Sequence, residues 1–534
     1  MEGTPLLIRG YPELSLPVES RLGQLQRGLG RGMIAALACE SEAELEALSI
    51  ELTYLVLNDP RADTQCEQRS EYFAEIYHRS GATLAPVIEA LKSRWAFPDQ
   101  EHEDWLLADV LEEMLALGDE SAAEAMRELL GNRYTFYLAL RPLQGLTEER
   151  AREVMPAAQV QAWMAKQSRE ELIESIEIGL EYEDVRWELW CDEVPELRSA
   201  LDEASDEDEE PGSEEPTRGD SGLALSAAHS DAAPSKAEYA QMPTAELMHH
   251  ASKLDWAWLQ KQLRHRVASG QREEVEAACL ANLHHESVMI QRVVFETLGE
   301  CGCTSVLDAM LRRLFEIEAL YIDFNERLKH AAPNDCVTLS VPRDMRGVVR
   351  YFERVNDPEV ARLARTWLGR EHPVGTVAMD VLSTTASADD AELLRAEVDR
   401  CMAENDSGWG LYTLAEGCVR TGDDSLIEHL LELYPQLRYA NARQKILHVM
   451  VEHGLRDRIV PLLIEALWDC EDLARTLAIE HAPLDAPGVR ERIEEIANAS
   501  SFWNEEHSRW RTRVRSAARE RLGMPDESKE QSDE

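Results

Sequence analysis

Positive charge is scarce in this sequence compared with negative charge. The 534 residues include 55 lysine and arginine residues against 102 aspartate and glutamate residues, so the formal net charge is −47. The phosphate backbone of DNA or RNA would be repelled by most of such a surface. We therefore expect no nucleic-acid partner.

Long apolar runs are also missing. No stretch of about 18 or more apolar residues occurs, and the first residues do not combine a basic segment with an apolar one. We therefore expect no membrane partner and predict a cytoplasmic protein. The ten cysteines are scattered, and we predict that they are reduced and buried. Only eight of the basic residues are lysines, which fits either a genome of high GC content or a salt-adapted acidic surface.

The sequence contains none of the common catalytic signatures. It has no P-loop, no G-x-S-x-G, no H-E-x-x-H and no G-x-G-x-x-G that opens a βαβ unit. The histidine pairs 249–250 and 284–285 are adjacent, so on a helix their side chains point roughly 100° apart and not towards one metal ion. Cys301 and Cys303 lack the second close pair that a zinc site requires. We predict no catalytic residue, no metal and no cofactor.

One segment differs in composition from the rest of the chain. Residues 202–243 begin with a dense acidic block and continue with Ser, Ala, Gly and Pro and almost no large apolar residues. Such a segment buries too little apolar surface to offset the entropy lost on ordering, so it is predicted to be a disordered acidic linker. The linker separates an N-terminal helical domain, 1–201, from a C-terminal array, 244–523, and an acidic tail, 524–534, follows.

Both blocks show the patterns of successive helices, and alternating strand-like patterns are nearly absent, so the predicted fold class is all-α. In the C-terminal block the helix breaks at Asp357, Asp389, Asp423 and Asp457 are 32, 34 and 34 residues apart, and another break follows near Asp485. Each of these aspartates is placed to cap the next helix. Breaks at a fixed period are typical of a helical solenoid.

The helices of this block share a second pattern, with three apolar residues at offsets 0, 4 and 8 on one helical face and a glycine at offset 9. The glycine suits the left-handed turn that ends a helix. The copies are Ile290, Val294, Leu298 and Gly299; Val360, Ala364, Leu368 and Gly369; and Val514, Ala518, Leu522 and Gly523.

This spacing resembles the HEAT-repeat family, particularly the short bacterial HEAT-like repeats. The resemblance covers most of 271–523 and is weaker over 40–165. Tetratricopeptide repeats have a similar period, but their W-x2-L-G-x2-Y and A-x3-F patterns are missing. The resemblance implies two HEAT-like arrays that form α-solenoids.

A group of arginines follows an unusually long interval between helix breaks, which we attribute to an insertion at 316–343. Arg343, Arg346, Arg350 and Arg354 lie here, and the last three are spaced four residues apart on one side of a helix. Two interpretations remain open. The arginines form salt bridges on a solvated flank, or they bind an anion or an acidic partner on the inner face of the solenoid.

The final repeat-like stretch, 514–523, is rich in arginine. We predict that Val514 packs on the preceding helix near 489–496 and that Arg515 and Arg519 lie on the outward flank of a capping helix.

These patterns predict a scaffold or adaptor that is not an enzyme and binds a protein partner on the concave surface of the arrays. The alternative is an accessory subunit of an enzyme, or an anionic-ligand binder, with an arginine-lined site near 316–354.

Overall fold

The computed structural model describes residues 16–58, 60, 69–94, 105–130, 139–181, 186–206, 235–330, 345–370, 372–403, 408–499 and 505–524. Within these ranges every regular element is an α-helix or a short 3-10 helix, and no strand is present. The all-α fold class predicted from the helical periodicity is therefore confirmed for the described part of the chain.

The chain divides by its internal contacts into two compact units. Unit 1 combines Met1–Pro216 with Leu431–Glu534, and unit 2 is Thr217–Leu430. The two segments of unit 1 are therefore separated along the chain by the whole of unit 2. This division differs from the predicted domains, because the last part of the range 244–523 belongs to the same unit as the N-terminal segment.

The predicted linker, 202–243, lies mostly outside the described residues, since 207–234 are not among them. At its two ends the structure shows helices, Pro195–Asp206 and Lys236–Gln241. Ser235 and Glu238 form a capping box at the start of the second helix, which explains why a helix begins there. Of the predicted tail, only Met524 is described.

The described helices of unit 1 begin near the N-terminus and resume after unit 2. In chain order they are Arg21–Gln26, Gly30–Leu37, Glu42–Leu57, Arg69–Ser80, Ala85–Arg94, Trp105–Ala116, Glu120–Leu130, Glu148–Val154, Ala157–Met164, Arg169–Glu181, Glu188–Cys191, Pro195–Asp206, Ala440–Glu452, Val460–Ala466, Asp472–His481, Val489–Asn498 and Glu505–Arg521. The helix Asp424–Leu433 crosses the boundary between the two units.

The two segments of unit 1 meet at a close backbone contact near Gly28 and Gly30. The amide of Cys470 donates to the carbonyl of Gly28 at 3.0 Å. A Cβ atom at Gly30 would lie 1.9 Å from the carbonyl oxygen of Glu465, so only glycine fits here. Arg443 is fully buried beside this contact and donates to both carboxylate oxygens of Asp469.

Ion pairs join the same two segments further along the chain. Arg475 donates to Glu71 at 2.5 Å, and Arg492 donates to both carboxylate oxygens of Glu75, at 2.6 and 2.9 Å. The residues of the second pair are 417 positions apart. Unit 1 is therefore stabilised by charge pairs as well as by its apolar core.

Unit 2 is also built from helices that pack with their neighbours along the chain. In order they are Lys236–Gln241, Thr244–His249, Trp256–Ala268, Arg272–Ala281, Val288–Glu300, Leu307–His330, Met345–Arg354, Pro358–Trp367, Val374–Thr385, Ala391–Ala403 and Trp409–Arg420. Five of them form a row in which each contacts the next, and we call this row the parallel layer: Trp256–Ala268, Val288–Glu300, Met345–Arg354, Val374–Thr385 and Trp409–Arg420.

The first two helices of the parallel layer run in the same direction and in register. The guanidinium of Arg292 lies 5.6 Å from the ring centroid of Trp256, Gln260 bonds to Glu296, and Arg264 donates to Glu300 at 2.8 Å. In every one of these contacts the partners are 36 residues apart. A constant offset of this kind is possible only for parallel helices.

The next contact in the layer depends on two glycines. A Cβ atom at Gly347 would lie 3.0 Å from the Cα of Arg292, and one at Gly299 would lie 2.6 Å from the carbonyl oxygen of Tyr351. The prediction that Gly299 ends its helix in a left-handed turn is therefore wrong. Gly299 is buried inside the helix Val288–Glu300, and Gly302, with φ of 56°, follows the helix end.

The other two copies of the pattern agree with the prediction. Gly369 and Gly523 have φ of 76° and 71° and follow their helices. In the copy that begins at Val360, this residue and Ala364 are fully buried. Leu368 and Leu522, at offset 8, follow the last helical residue and are only half-buried. The spacing therefore identifies the buried helix face at its first two positions in these copies.

The predicted aspartate caps are correct at two of the periodic positions. Asp357 accepts from the amides of Glu359 and Val360, and Asp423 accepts from the amide of Leu426. The prediction is wrong at the other positions. Ser387 is the N-cap of the short helix that contains Asp389, and Asp457 lies inside a 3-10 helix. After Asp485 the N-cap position of the next helix is occupied by Gly488, and no side chain caps that helix.

The last helix, Glu505–Arg521, packs on Val489–Asn498 as predicted, and Val514 is buried. The prediction for its arginines is only partly correct. Arg513 and Arg521 are exposed, but Arg515 and Arg519, the two arginines placed on the outward flank, are only half-exposed. Arg515 donates towards the carbonyl of Ala497 at 3.4 Å. Arg515 also lines a cavity.

Candidate functional site

The predicted arginine stripe lies on the helix Met345–Arg354 of the parallel layer. Arg346, Arg350 and Arg354 are exposed, whereas Val348 and Phe352 on the opposite side are fully buried. This arrangement follows from the helical period, because residues four apart lie on one face. Arg343 lies outside the described residues.

Two of these arginines are paired with carboxylates. Arg350 contacts Glu353 at 2.5 Å, and Arg354 contacts Glu300 on the adjacent helix at 2.9 Å. Glu300 also accepts from Arg264, so a single carboxylate joins three helices of unit 2. Arg346 forms no ion pair with any described residue. In the structure the stripe therefore forms mainly salt bridges.

In the described part of the predicted insertion, a buried carboxylate also binds an arginine. Glu318, which is buried on the long helix Leu307–His330, accepts from Arg370 Nε at 2.9 Å. The same guanidinium lies 4.8 Å from the ring centroid of Phe315. Both contacts orient Arg370 towards the protein, which favours a structural role for this pair.

Asp380 lies beside the arginine stripe on the helix Val374–Thr385. Burial and the nearby charge of Glu353 raise the pKa of Asp380 to about 7, although Arg350 acts in the opposite direction. The protonated form of this carboxyl group therefore persists to a much higher pH than it does for an ordinary aspartate, and in that form the group can donate a hydrogen bond. Sequence patterns do not identify such a residue, because burial by other helices causes the effect.

Exposed aromatic residues mark the N-terminal ends of two helices in the parallel layer. Trp256 and Trp409 are the first residues of their helices, with 38% and 49% of their surface exposed. Tyr412, which is 37% exposed, stacks on Trp409 with a centroid distance of 5.7 Å and an interplanar angle of 19°. The sequence patterns did not identify this pair. Its only local signal is a tryptophan and a tyrosine three residues apart at the start of a helix.

The cysteine and histidine groups do not assemble a metal site in the described ranges. Cys279, Cys301 and Cys303 are buried free thiols, and burial raises the pKa of Cys301 to about 11. No group of three metal-binding side chains occurs among the residues that the structure describes. In the same ranges, no helix is both long and apolar enough to cross a membrane.

The sequence was compared with protein-family models and with curated proteins. No protein-family model matches the sequence, and no curated protein matches it. The residues and contacts of the two units are therefore the basis for any statement about function.

Proposed function

We propose that this protein is a non-catalytic scaffold or adaptor in which unit 2 is a HEAT-like array that binds a protein partner. The parallel, in-register packing of alternate helices supports the repeat architecture, because repeats of one kind contact their neighbours in the same way. The contacts 36 residues apart between the first two helices of the parallel layer are the clearest example.

The stacked pair Trp409 and Tyr412 is the observation that supports partner binding most directly. Large aromatic side chains lose little conformational entropy on binding, and they contribute strongly at the centres of protein interfaces. Here two of them are exposed side by side at the start of one helix. We propose that they form the centre of the contact surface.

The charges of the parallel layer support a protein partner more than an anionic ligand. Arg350 and Arg354 already contact carboxylates, so a small anion would have to compete with Glu353 and Glu300. Paired charges of this kind suit the polar rim of a protein interface, where they contribute to specificity.

The proposal is tested by site-specific crosslinking in cells. A photoreactive residue in place of Tyr412 is expected to crosslink a discrete partner. The matched control carries the same residue in place of Ile50, which is 58% exposed in unit 1. The control is expected to give no such product, because the contact surface belongs to unit 2.

The partner identified in this way is then purified and its affinity measured. The double variant Trp409→Ala, Tyr412→Ala is expected to bind at least about 30-fold more weakly, since such truncations cost about 2 kcal/mol or more. Ile50→Ala is expected to bind as the wild type does. Equal crosslinking at both positions, or equal affinity of the double variant and the wild type, would contradict the proposal.

A further inference from the structure

Unit 1 contains a cavity of about 470 Å³ that the sequence did not predict. It lies where the helices Arg69–Ser80 and Trp105–Ala116 of the N-terminal segment face three helices of the C-terminal segment, namely Asp472–His481, Val489–Asn498 and Glu505–Arg521. This volume is within the usual range for a site that binds a small molecule. One part of its wall is apolar and is formed by Leu117, Ile496, Ala499 and Val514.

The rest of the lining is charged. It contains the carboxylates Glu71, Glu75, Glu113, Asp472 and Glu495, the imidazole of His78, and the guanidinium groups of Arg79, Arg475, Arg492 and Arg515. Three of these guanidinium groups are fixed in position. Arg492 is bonded to Glu75 and lies 3.9 Å from the ring centroid of Trp468, and Arg79 lies 5.1 Å from the same ring. Arg475 is bonded to Glu71 and Asp472 at the side of the cavity. Because these groups are already oriented, a ligand that they bind would lose little free energy in ordering them.

Glu495 differs from the other carboxylates that contact these arginines. It accepts from Arg79 at 3.0 and 3.5 Å and from Arg492 at 3.3 Å, whereas Glu75 receives bonds of 2.6 to 2.9 Å. Its side chain is 47% exposed, against 19% for Glu75. Glu495 is therefore the carboxylate that leaves these two arginines most easily.

We propose that this cavity binds the carboxylate of a small organic acid, which takes the position of Glu495 between Arg79 and Arg492. Guanidinium groups bind carboxylates through paired hydrogen bonds, so one carboxylate of the ligand takes the place of one carboxylate of the protein between these arginines. The apolar wall then contacts the carbon chain of the ligand. Glu495 acts as an internal competitor that weakens binding until it moves out to solvent.

The test is isothermal titration calorimetry on the full chain with succinate, and with succinamide as the neutral analogue. Glu495→Ala is expected to bind succinate at least tenfold more tightly than the wild type, and neither protein is expected to bind succinamide. Arg79→Gln in the Glu495→Ala background is expected to abolish the binding of succinate. Glu494→Ala is the matched control. It removes the same charge from the preceding position on the helix, where the side chain is 50% exposed and does not line the cavity.

Two outcomes overturn the proposal. The first is that Glu495→Ala does not bind succinate. The second is that Glu494→Ala increases the affinity for succinate as much as Glu495→Ala does, which would indicate a general effect of net charge. Circular dichroism and thermal melting establish that each variant is folded. Glu495→Gln removes the charge while retaining the shape, and it gives the same comparison if the alanine variant does not fold.

Discussion

The carboxylate of Glu75 offers the sharpest test of how the two segments of unit 1 are held together. It accepts two bonds from Arg492 and one from Arg79. Glu75→Gln keeps the size of the side chain and removes the charge, so Arg492, which is only 4% exposed, loses its main counter-charge. We expect this substitution to destabilise unit 1.

The magnitude follows from the pKa of Glu75. Burial raises this pKa, but Arg492, Arg79 and Arg475 outweigh the effect of burial and hold the pKa at about 2, compared with 4.5 for an ordinary glutamate. That difference corresponds to about 3 kcal/mol, because each pKa unit is worth ~1.4 kcal/mol. Since solvent reaches part of the carboxylate, we expect about 2 kcal/mol at pH 7.

The lowered pKa of Glu75 also determines how the stability difference between the wild type and Glu75→Gln changes with pH. A carboxyl group whose pKa is lowered on folding stabilises the folded state above its unfolded pKa, and this stabilisation is lost as the pH falls towards the folded pKa. The difference in unfolding free energy between the wild type and Glu75→Gln is therefore expected to be constant above about pH 5 and to shrink between about pH 4.5 and 2.

Urea unfolding followed by tryptophan fluorescence measures this difference at pH 7, 5, 4 and 3. The emission is summed over twelve tryptophans, of which Trp468 contacts the guanidinium of Arg492. Glu494→Gln is the control, since its side chain is half exposed, and we expect a change near zero. If Glu75→Gln were as stable as the wild type at pH 7, or less stable by the same amount at every pH, the reasoning would be refuted.

Further predictions concern unit 2. Because burial raises the pKa of Asp380 to about 7, ionisation of this group opposes folding as the pH rises from about 4 to 7. Asp380→Asn should therefore stabilise unit 2 by about 1–2 kcal/mol at pH 8 and by much less at pH 4, as measured by urea unfolding. Gly299→Ala places a methyl group against the carbonyl of Tyr351 and should lower the unfolding free energy by about 1–3 kcal/mol. Asp357→Ala removes a helix cap and should lower the melting temperature, at a cost of about 1 kcal/mol, whereas Asp389→Ala should leave it nearly unchanged.

Local patterns in the sequence predicted much of the secondary structure for physical reasons. The helical period of the apolar residues identifies the buried faces around Val360 and Val514, since a helix has to bury one side. The cap at Asp357 and the left-handed turn at Gly369 were also predictable, because both satisfy backbone groups only a few residues away. Asp389 shows the limit of such signals, since a nearby serine competes for the same role.

The site residues were harder to predict, because sequence patterns do not show which helices pack together. The arginine stripe was found from its four-residue spacing, but its partner Glu300 lies on another helix, so the choice between salt bridge and anion site stayed open. Trp409 and Tyr412 are residue types that are also common on buried helix faces, so their identity does not indicate that they are exposed. Its exposure depends on how the helix is placed in the layer.

The sequence by itself determined the all-α class, the buried faces of many helices and several of their ends, since these properties depend on neighbours within one or two helical turns. Only the tertiary structure decided that the segment after Leu431 belongs with the N-terminal segment, and that Gly299 lies within a helix contact. Arg492 and Glu75 are 417 residues apart, and the residues next to either one do not indicate that the two form an ion pair. Their pairing depends on shape and charge that exist only after the two segments have packed, and for this reason the cavity beside them could not be predicted from the sequence.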